Sequence, residues 1–286
     1  MIANQKKLNE QLFNVIKDEK ANIEIKLKKA KYLLRLGADA NFRLKDGTPL
    51  IVWVAKNSEV KVLETLLSSG VYVNSKTMYN ESALMVASGA GNLYMTEILL
   101  EHGALIDDGD TYGRTAIFKA AEGGHDKVVE LLLKNGAKAD ICDDFGETVL
   151  MVASSKGKKD VVKVLLENNV EVNYKDNSGF NALMVAALEG NFEIVEILAQ
   201  NGANVNFSDD EGATALMHAS IEGKKDVVKV LLNEGADASL RDVFGVCALD
   251  LARENKHYDV VKILEEHLEN KKEETMVNMQ KHLGRD

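Results

Sequence analysis

Residues 115–137 read TAIFKAAEGGHDKVVELLLKNGA, and the stretch contains two short helical patterns with a break between them. The first runs from about Thr115 to Glu122 and is interrupted by Gly123 and Gly124; the second runs from about Asp126 to Asn135. Val129, Leu132 and Leu133 lie at helical spacing and give the second a one-sided apolar stripe. At about 8–10 residues each, neither helix is long enough to be stable by itself. Their apolar faces must be buried against further copies, and the chain supplies them. Leucine recurs at Leu33, Leu66, Leu99, Leu132, Leu165, Leu198, Leu231 and Leu264, an unbroken period of 33.

Three more ladders share that period. Gly37, Gly70, Gly103, Gly136, Gly202 and Gly235, with Asn169 on the missing rung, stand where a helix end needs a left-handed residue. Thr48, Ser82, Thr115, Thr148, Asn181, Thr214 and Cys247 precede each first helix, and all but the cysteine are good N-caps. Pro49, the only proline, reads as the first helical position. Asp110, Asp143, Asp176, Asp209 and Asp242 are each followed three residues later by glycine. Asp first and Gly fourth favour a type I turn whose carboxylate takes backbone N–H groups. Each connector is therefore expected to be a hairpin-like finger.

With the phrases TPL at Thr48–Leu50 and TAI, TVL, NAL and TAL further on, this pattern closely resembles the ankyrin repeat over roughly residues 30 to 268. The resemblance implies an all-α repeat fold, an α-α solenoid of helix-turn-helix units joined by β-hairpin-like fingers. It also implies a curved stack with fingers and first helices on the concave side. The expected organisation is an atypical helical cap at 1–42 and ankyrin repeats at 43–76, 77–109, 110–142, 143–175, 176–208 and 209–241. A capping repeat at 242–270 and a polar, frayed tail at 271–286 complete it. Leu8, Leu12, Val15 and Ile16 suggest one cap helix, and Ile23, Ile25, Leu27, Leu33 and Leu34 a second.

There are departures from the family pattern. Its histidine after T-P-L is replaced by Ile51, Met85, Phe118, Met151, Met184, Met217 and Asp250, so pliable packing stands in for hydrogen-bond bracing. Leu50 to Leu84 spans 34 residues rather than 33. This places an extra residue in the helix-to-helix turn near Asn57 and Ser58 and leaves the preceding finger one residue short.

Bulk properties narrow the function. A hydrophobic fraction of 45% with 28% charged residues is enough to build a large core. The formal net charge of -10 argues against nucleic acid, which is held by clustered Lys and Arg. No secretory leader pattern and no long apolar run is seen, and two cysteines about three repeats apart fit a reducing compartment. The reading is a cytoplasmic, monomeric protein that contacts no membrane; delivery into another cell is the alternative, and no motif tests it.

Metal-ligand spacing, phosphate loops and nucleophile elbows are not found, so neither catalytic residues nor cofactors are assigned. The six histidines read as surface or turn residues, His125 within a Gly-His pair typical of ankyrin repeats, and the finger aspartates as turn caps.

What remains is the surface that ankyrin architecture would project. Tyr79, Tyr112 and Phe145 fall before the turn glycine or its equivalent, with Ser178, Glu211 and Phe244 in the same slot; Glu81, Arg114, Glu147 and Phe180 follow it. Asp210 adds charge beside Glu211, and the first helices add Val52, Val86, Lys119, Val152, Val185, His218 and Leu251. The expected partner-binding set is Tyr79, Glu81, Tyr112, Arg114, Lys119, Phe145, Glu147, Phe180, Asp210, Glu211 and His218. Aromatic side chains at a regular rise suit a binding surface, although at Tyr112 and Phe145 stiffening of the array is an equal reading. Phe244, beside the cap, reads as structural, and Trp53 as a filler against the irregular first unit. The function expected is a non-enzymatic scaffold binding another protein. The alternative is a module acting by self-assembly or by inhibiting an enzyme, including as an effector on a host protein.

Overall fold

A computed structural model describes residues 2–282 of the chain. It divides into two compact units, 1–144 and 145–286. The first contains α1 (Ile2–Ile16), α2 (Ile23–Arg35), α3 (Leu50–Lys56), α4 (Val60–Leu67), α5 (Ala83–Gly89), α6 (Leu93–Glu101), α7 (Ala116–Gly123) and α8 (Asp126–Lys134). The second contains α9 (Val149–Ser155), α10 (Lys159–Glu167), α11 (Ala182–Glu189), α12 (Phe192–Gln200), α13 (Ala215–Ile221), α14 (Lys225–Asn233), α15 (Ala248–Glu254) and α16 (Tyr258–His282). The described residues form no named strand, only isolated antiparallel bridges across the fingers, such as Lys76 with Ser82 and Ser208 with Thr214.

Within each unit the short helices pack as the leucine period requires. In the first, α5 lies between α3 and α7, and α6 between α4 and α8; in the second, α11 and α12 are placed likewise between their neighbours. Leu66, Leu99 and Leu132 in one unit, and Leu165, Leu198, Leu231 and Leu264 in the other, are completely buried. Met85, Phe118, Met151, Met184 and Met217 are buried beside them. At the histidine position of the family, side-chain volume therefore fills the core.

The caps behave chemically as their residue types suggest. The Ser82 hydroxyl accepts the Met85 N–H at 3.3 Å, Asn181 accepts that of Met184 at 3.0 Å, and Thr148 and Thr214 act alike. Thr115 occupies the same N-cap position without a side-chain bond, and at Cys247 the work passes to Asp250, whose carboxylate accepts the Cys247 N–H. Asn169 adopts φ 57° on the glycine ladder, as expected of the residue best able to replace glycine there.

The first repeat requires a correction. Its TPL phrase is out of step with the structure, because Pro49 and not Thr48 is the N-cap of α3. The bridge of Arg43 with Pro49 lies exactly one period before that of Lys76 with Ser82. Left-handed residues agree: Gly47 precedes Asn80 by 33, and Ser58 precedes Gly91 by 33. The finger is thus full length and no residue is inserted at Asn57–Ser58. Trp53, not Val52, is the counterpart of Val86 and Lys119, and Val52 is core at 3% exposure. The filling role of Trp53 does hold, since its ring meets Phe13 edge-on with centroids 5.1 Å apart.

A fifth ladder went unread in the sequence. Asn41, Asn74, Asp107, Asn173 and Asn206 recur on the period of 33 and tie consecutive repeats inside each unit. The Asn74 carbonyl oxygen accepts the Leu105 N–H at 2.9 Å while its amide donates to Gly103 O at 3.1 Å; Asn173 does the same with Asn204 and Gly202. The His125 of the Gly-His pair also acts between repeats, its Nε2 donating to Gly89 O at 3.0 Å, and His257, which follows Lys256, does the same with Ile221 O at 2.8 Å. At the other end α16 continues as helix to His282, so residues 271–282 of the expected frayed tail are helical, with 271–279 exposed; 283–286 lie outside the described residues.

Replacing Asn74 by alanine removes one acceptor and one donor from this inter-repeat link and should cost about 1–2 kcal/mol. Asn74→Asp, which keeps the acceptor as Asp107 does, should recover part of that loss. Urea unfolding of the three proteins followed by circular dichroism tests the order.

Candidate protein-binding surface

Each finger is closed by its first residue. The Asp110 carboxylate accepts the N–H groups of Tyr112 at 2.8 Å and Arg114 at 3.1 Å, and Gly113 N–H closes the turn onto Asp110 O. Asp176, Asp209 and Asp242 repeat the pattern. In the second finger, which has no aspartate there, the Thr77 hydroxyl accepts from Tyr79 and Glu81.

Backbone bonds then join four of the tips to the finger that follows. Tyr79 O accepts Thr111 N–H and Tyr112 O accepts Asp144 N–H in the first unit; in the second, Phe145 O accepts Asn177 N–H and Glu211 O accepts Val243 N–H. The tips are therefore held by their main chains, and their side chains are left to face outward.

The expected site residues separate on this frame. In the first unit, Tyr79 and Tyr112 are exposed at the tips. Arg114 and Lys119 turn inward instead: Arg114 Nε reaches Asp143 Oδ2 at 2.8 Å, and Lys119 Nζ reaches Asp110 Oδ2 at 2.7 Å. Glu81 is half-buried. In the second unit, Phe145, Asp210 and Glu211 are exposed, whereas Glu147, Phe180 and His218 are half-buried. His218 Nε2 lies 2.9 Å from Asp209 Oδ2, and its ring packs on Phe180 at 4.7 Å between centroids. Lys119 and His218 thus stand at equivalent positions of their repeats and both brace a finger aspartate.

Two expectations need correction here. Phe244 is the most exposed of the tip aromatics at 74%, so it is not packed as a stiffener. Val152, read as part of the projected first-helix surface, is buried. Missed altogether were Met78 and Val243, exposed at 75% and 67% in the slot just before Tyr79 and Phe244. Their separation of five periods was visible, but the residues at 111, 144, 177 and 210 of that slot are polar.

With the helix pairs, finger turns and inter-repeat links in place, comparison with known proteins agrees. A family model described as ankyrin repeats (3 copies) matches residues 21–110, 53–141, 135–209 and 202–275. The chain belongs to the ankyrin-repeat family. In structure it is similar to the ankyrin repeat domain of human ASB11, at a TM-score of 0.69 and 27% sequence identity, covering 75% of this chain and 97% of that one. No curated protein matches the chain in sequence. Ankyrin-repeat domains are in general protein-protein interaction modules, and no described helix of this one is long and apolar enough to cross a membrane.

Asp110 makes the fold sensitive to acid in a definite direction. Burial pushes the Asp110 carboxyl up, but the Lys119 ammonium and the Tyr112 and Arg114 N–H groups outweigh it and hold the value below the ordinary range. A depressed value in the folded state adds stability that is complete above the unfolded value of about 4 and is lost as pH falls through the folded one. Asp110→Asn keeps the turn acceptor and removes the charge. Its urea midpoint should lie below that of the parent at pH 7, and the gap should close under strongly acidic conditions.

Proposed function

We propose that this ankyrin-repeat protein is a non-enzymatic module that binds a partner protein through its finger tips. Tyr79 and Tyr112, with Met78 beside them, form the contact in the first unit. Phe145 and Phe244 with Val243, and the carboxylates of Asp210 and Glu211, are the contacting groups of the second. The observation that carries this reading is the exposure of these large apolar side chains on a main chain already fixed by inter-finger hydrogen bonds. A pre-ordered backbone lowers the entropy lost on binding, and Tyr and Phe bury much area for few rotors. Glu81 and Glu147 then serve as rim charges, and Arg114, Lys119, Phe180 and His218 hold the fingers in shape beneath the contact.

Tyr79→Ala with Tyr112→Ala should weaken binding by at least about 2 kcal/mol, roughly thirtyfold in Kd. The thermal midpoint should hardly move, because both side chains are solvent-facing. The measurement is affinity capture from source-cell lysate on immobilised parent and variant, read by quantitative mass spectrometry, with melting curves of both. A partner retained equally by the two proteins refutes the tip contact in the first unit.

A second reading, self-assembly, draws on α16, where Met276, Val277 and Met279 are exposed. Under that reading, multi-angle light scattering shows a defined oligomer for the full chain and a monomer after deletion of 271–286. A monomeric full chain removes it.

A further inference from the structure

The first unit contains a feature that the finger tips do not use. Helix α1 and the first finger enclose a cleft of about 980 Å³, lined by Lys6, Phe13, Lys17, Phe42, Arg43 and Lys45 among others. Lining positions recur every four residues from Gln5 on α1 to Lys17 just past its end, a face about 18 Å long. That length fits about five or six residues of extended chain.

Its floor is apolar and its edges are cationic. Phe13 and Phe42 are half-buried, and Phe13 is backed by the edge-on Trp53. Lys6, Lys17 and Lys45 are exposed, and Lys17 Nζ sits 5.3 Å from the Phe13 ring centroid. Arg43 anchors the finger itself, donating to Gly47 O and Lys76 O. Two acids also line the cleft, Glu10 and Asp46, but the Asp46 carboxylate is taken up by the Thr48 N–H of its own turn at 2.9 Å.

This local charge runs against that of the whole protein. Residues 1–56 hold twelve Lys and Arg against six Asp and Glu, in a chain of net charge -10. A ligand drawn to these edges is therefore anionic, and the two phenylalanine rings of the floor favour one that also carries apolar side chains. The exposed Asn14 amide in the lining can match the donor and acceptor of a peptide group.

The geometry points to a second docking site, in which the cleft between α1 and the first finger takes an acidic peptide segment that places an aromatic or aliphatic side chain between Phe13 and Phe42.

Trp53 is the only tryptophan of the chain and touches the floor, so its emission reports occupancy. The full-length protein is titrated with acetyl-Glu-Asp-Leu-Phe-Glu-Asp-Leu-Glu-amide, and the heat of binding is measured in parallel. Expected is a saturable emission change, weakened about tenfold or more by Lys6→Glu, Lys17→Glu and Lys45→Glu together. A peptide with its Leu and Phe replaced by Ser should bind at least about tenfold more weakly.

Should the triple variant melt early, Lys45→Glu alone, at an exposed finger position, must still weaken binding. The proposal is overturned if neither emission nor heat shows saturation, or if the charge variants bind as the parent does. Equal binding of the Ser peptide overturns it too, since the cleft would then be a general polyanion patch of the kind nucleic acid uses. So does sedimentation showing that a second copy fills the cleft and is not displaced by the peptide. Tyr79→Ala with Tyr112→Ala should leave this titration unchanged, which separates its outcome from that of the finger-tip contact.

Discussion

Helices of seven to nine residues, from α3 through α15, cannot keep their apolar faces dry unless another helix pair lies against them. Each buried leucine is therefore covered by its neighbours within a unit, and every other regularity serves that requirement. A shift of one residue would carry a leucine off the buried face of its helix. The N-caps, the left-handed residues and the finger turns all hold the same period, because each sets where the next short helix begins.

Polar groups are arranged to protect this register where packing cannot. The amide of Asn74 links its own repeat to the one after it, and His125 links its repeat to the one before, each through main-chain atoms that the helix ends leave without partners. The finger aspartates do double duty. Asp110 organises its own turn and holds Lys119, while Asp143 holds Arg114. Several charged side chains that would look like binding groups on a surface are thereby engaged within the fold. What is left for recognition is the outermost row, the apolar and acidic tips.

Most of the architecture was legible because a repeated residue reports a repeated environment. The Leu, Gly, cap and Asp ladders each gave independent bounds on the same units. The exception is instructive: Thr48-Pro49-Leu50 matches the family phrase better than any other repeat, yet it is one residue out of register. Pro49 supplies the extended backbone an N-cap needs even though its side chain offers no acceptor, so the position tolerates the slip. The Asn41–Asn206 ladder was as periodic as the others and was passed over because Asn in a loop invites no further question. The helical state of residues 271–282 was hidden by their polarity, which an extension of α16 exposed at 271–279 accommodates without a second apolar face.

The candidate surface was less legible, for a physical reason. Exposure at a finger tip depends on which side chains the adjacent fingers cover, and one repeat read alone carries no record of that. Phe180 and Phe244 both flank a turn glycine in sequence, yet Phe180 packs on the His218 ring and Phe244 faces solvent. The sequence by itself determined the period, the helix pair, the finger turn and hence the family, since these follow from local spacing and from the need to bury short amphipathic helices. Only the tertiary structure decided which polar residues brace the fingers, where the first repeat truly begins, and that α1 with the first finger leaves a cationic cleft. Those outcomes depend on contacts across turns and between repeats, from Lys119 on Asp110 to Phe13 on Trp53, where side-chain reach and not sequence spacing sets who meets whom.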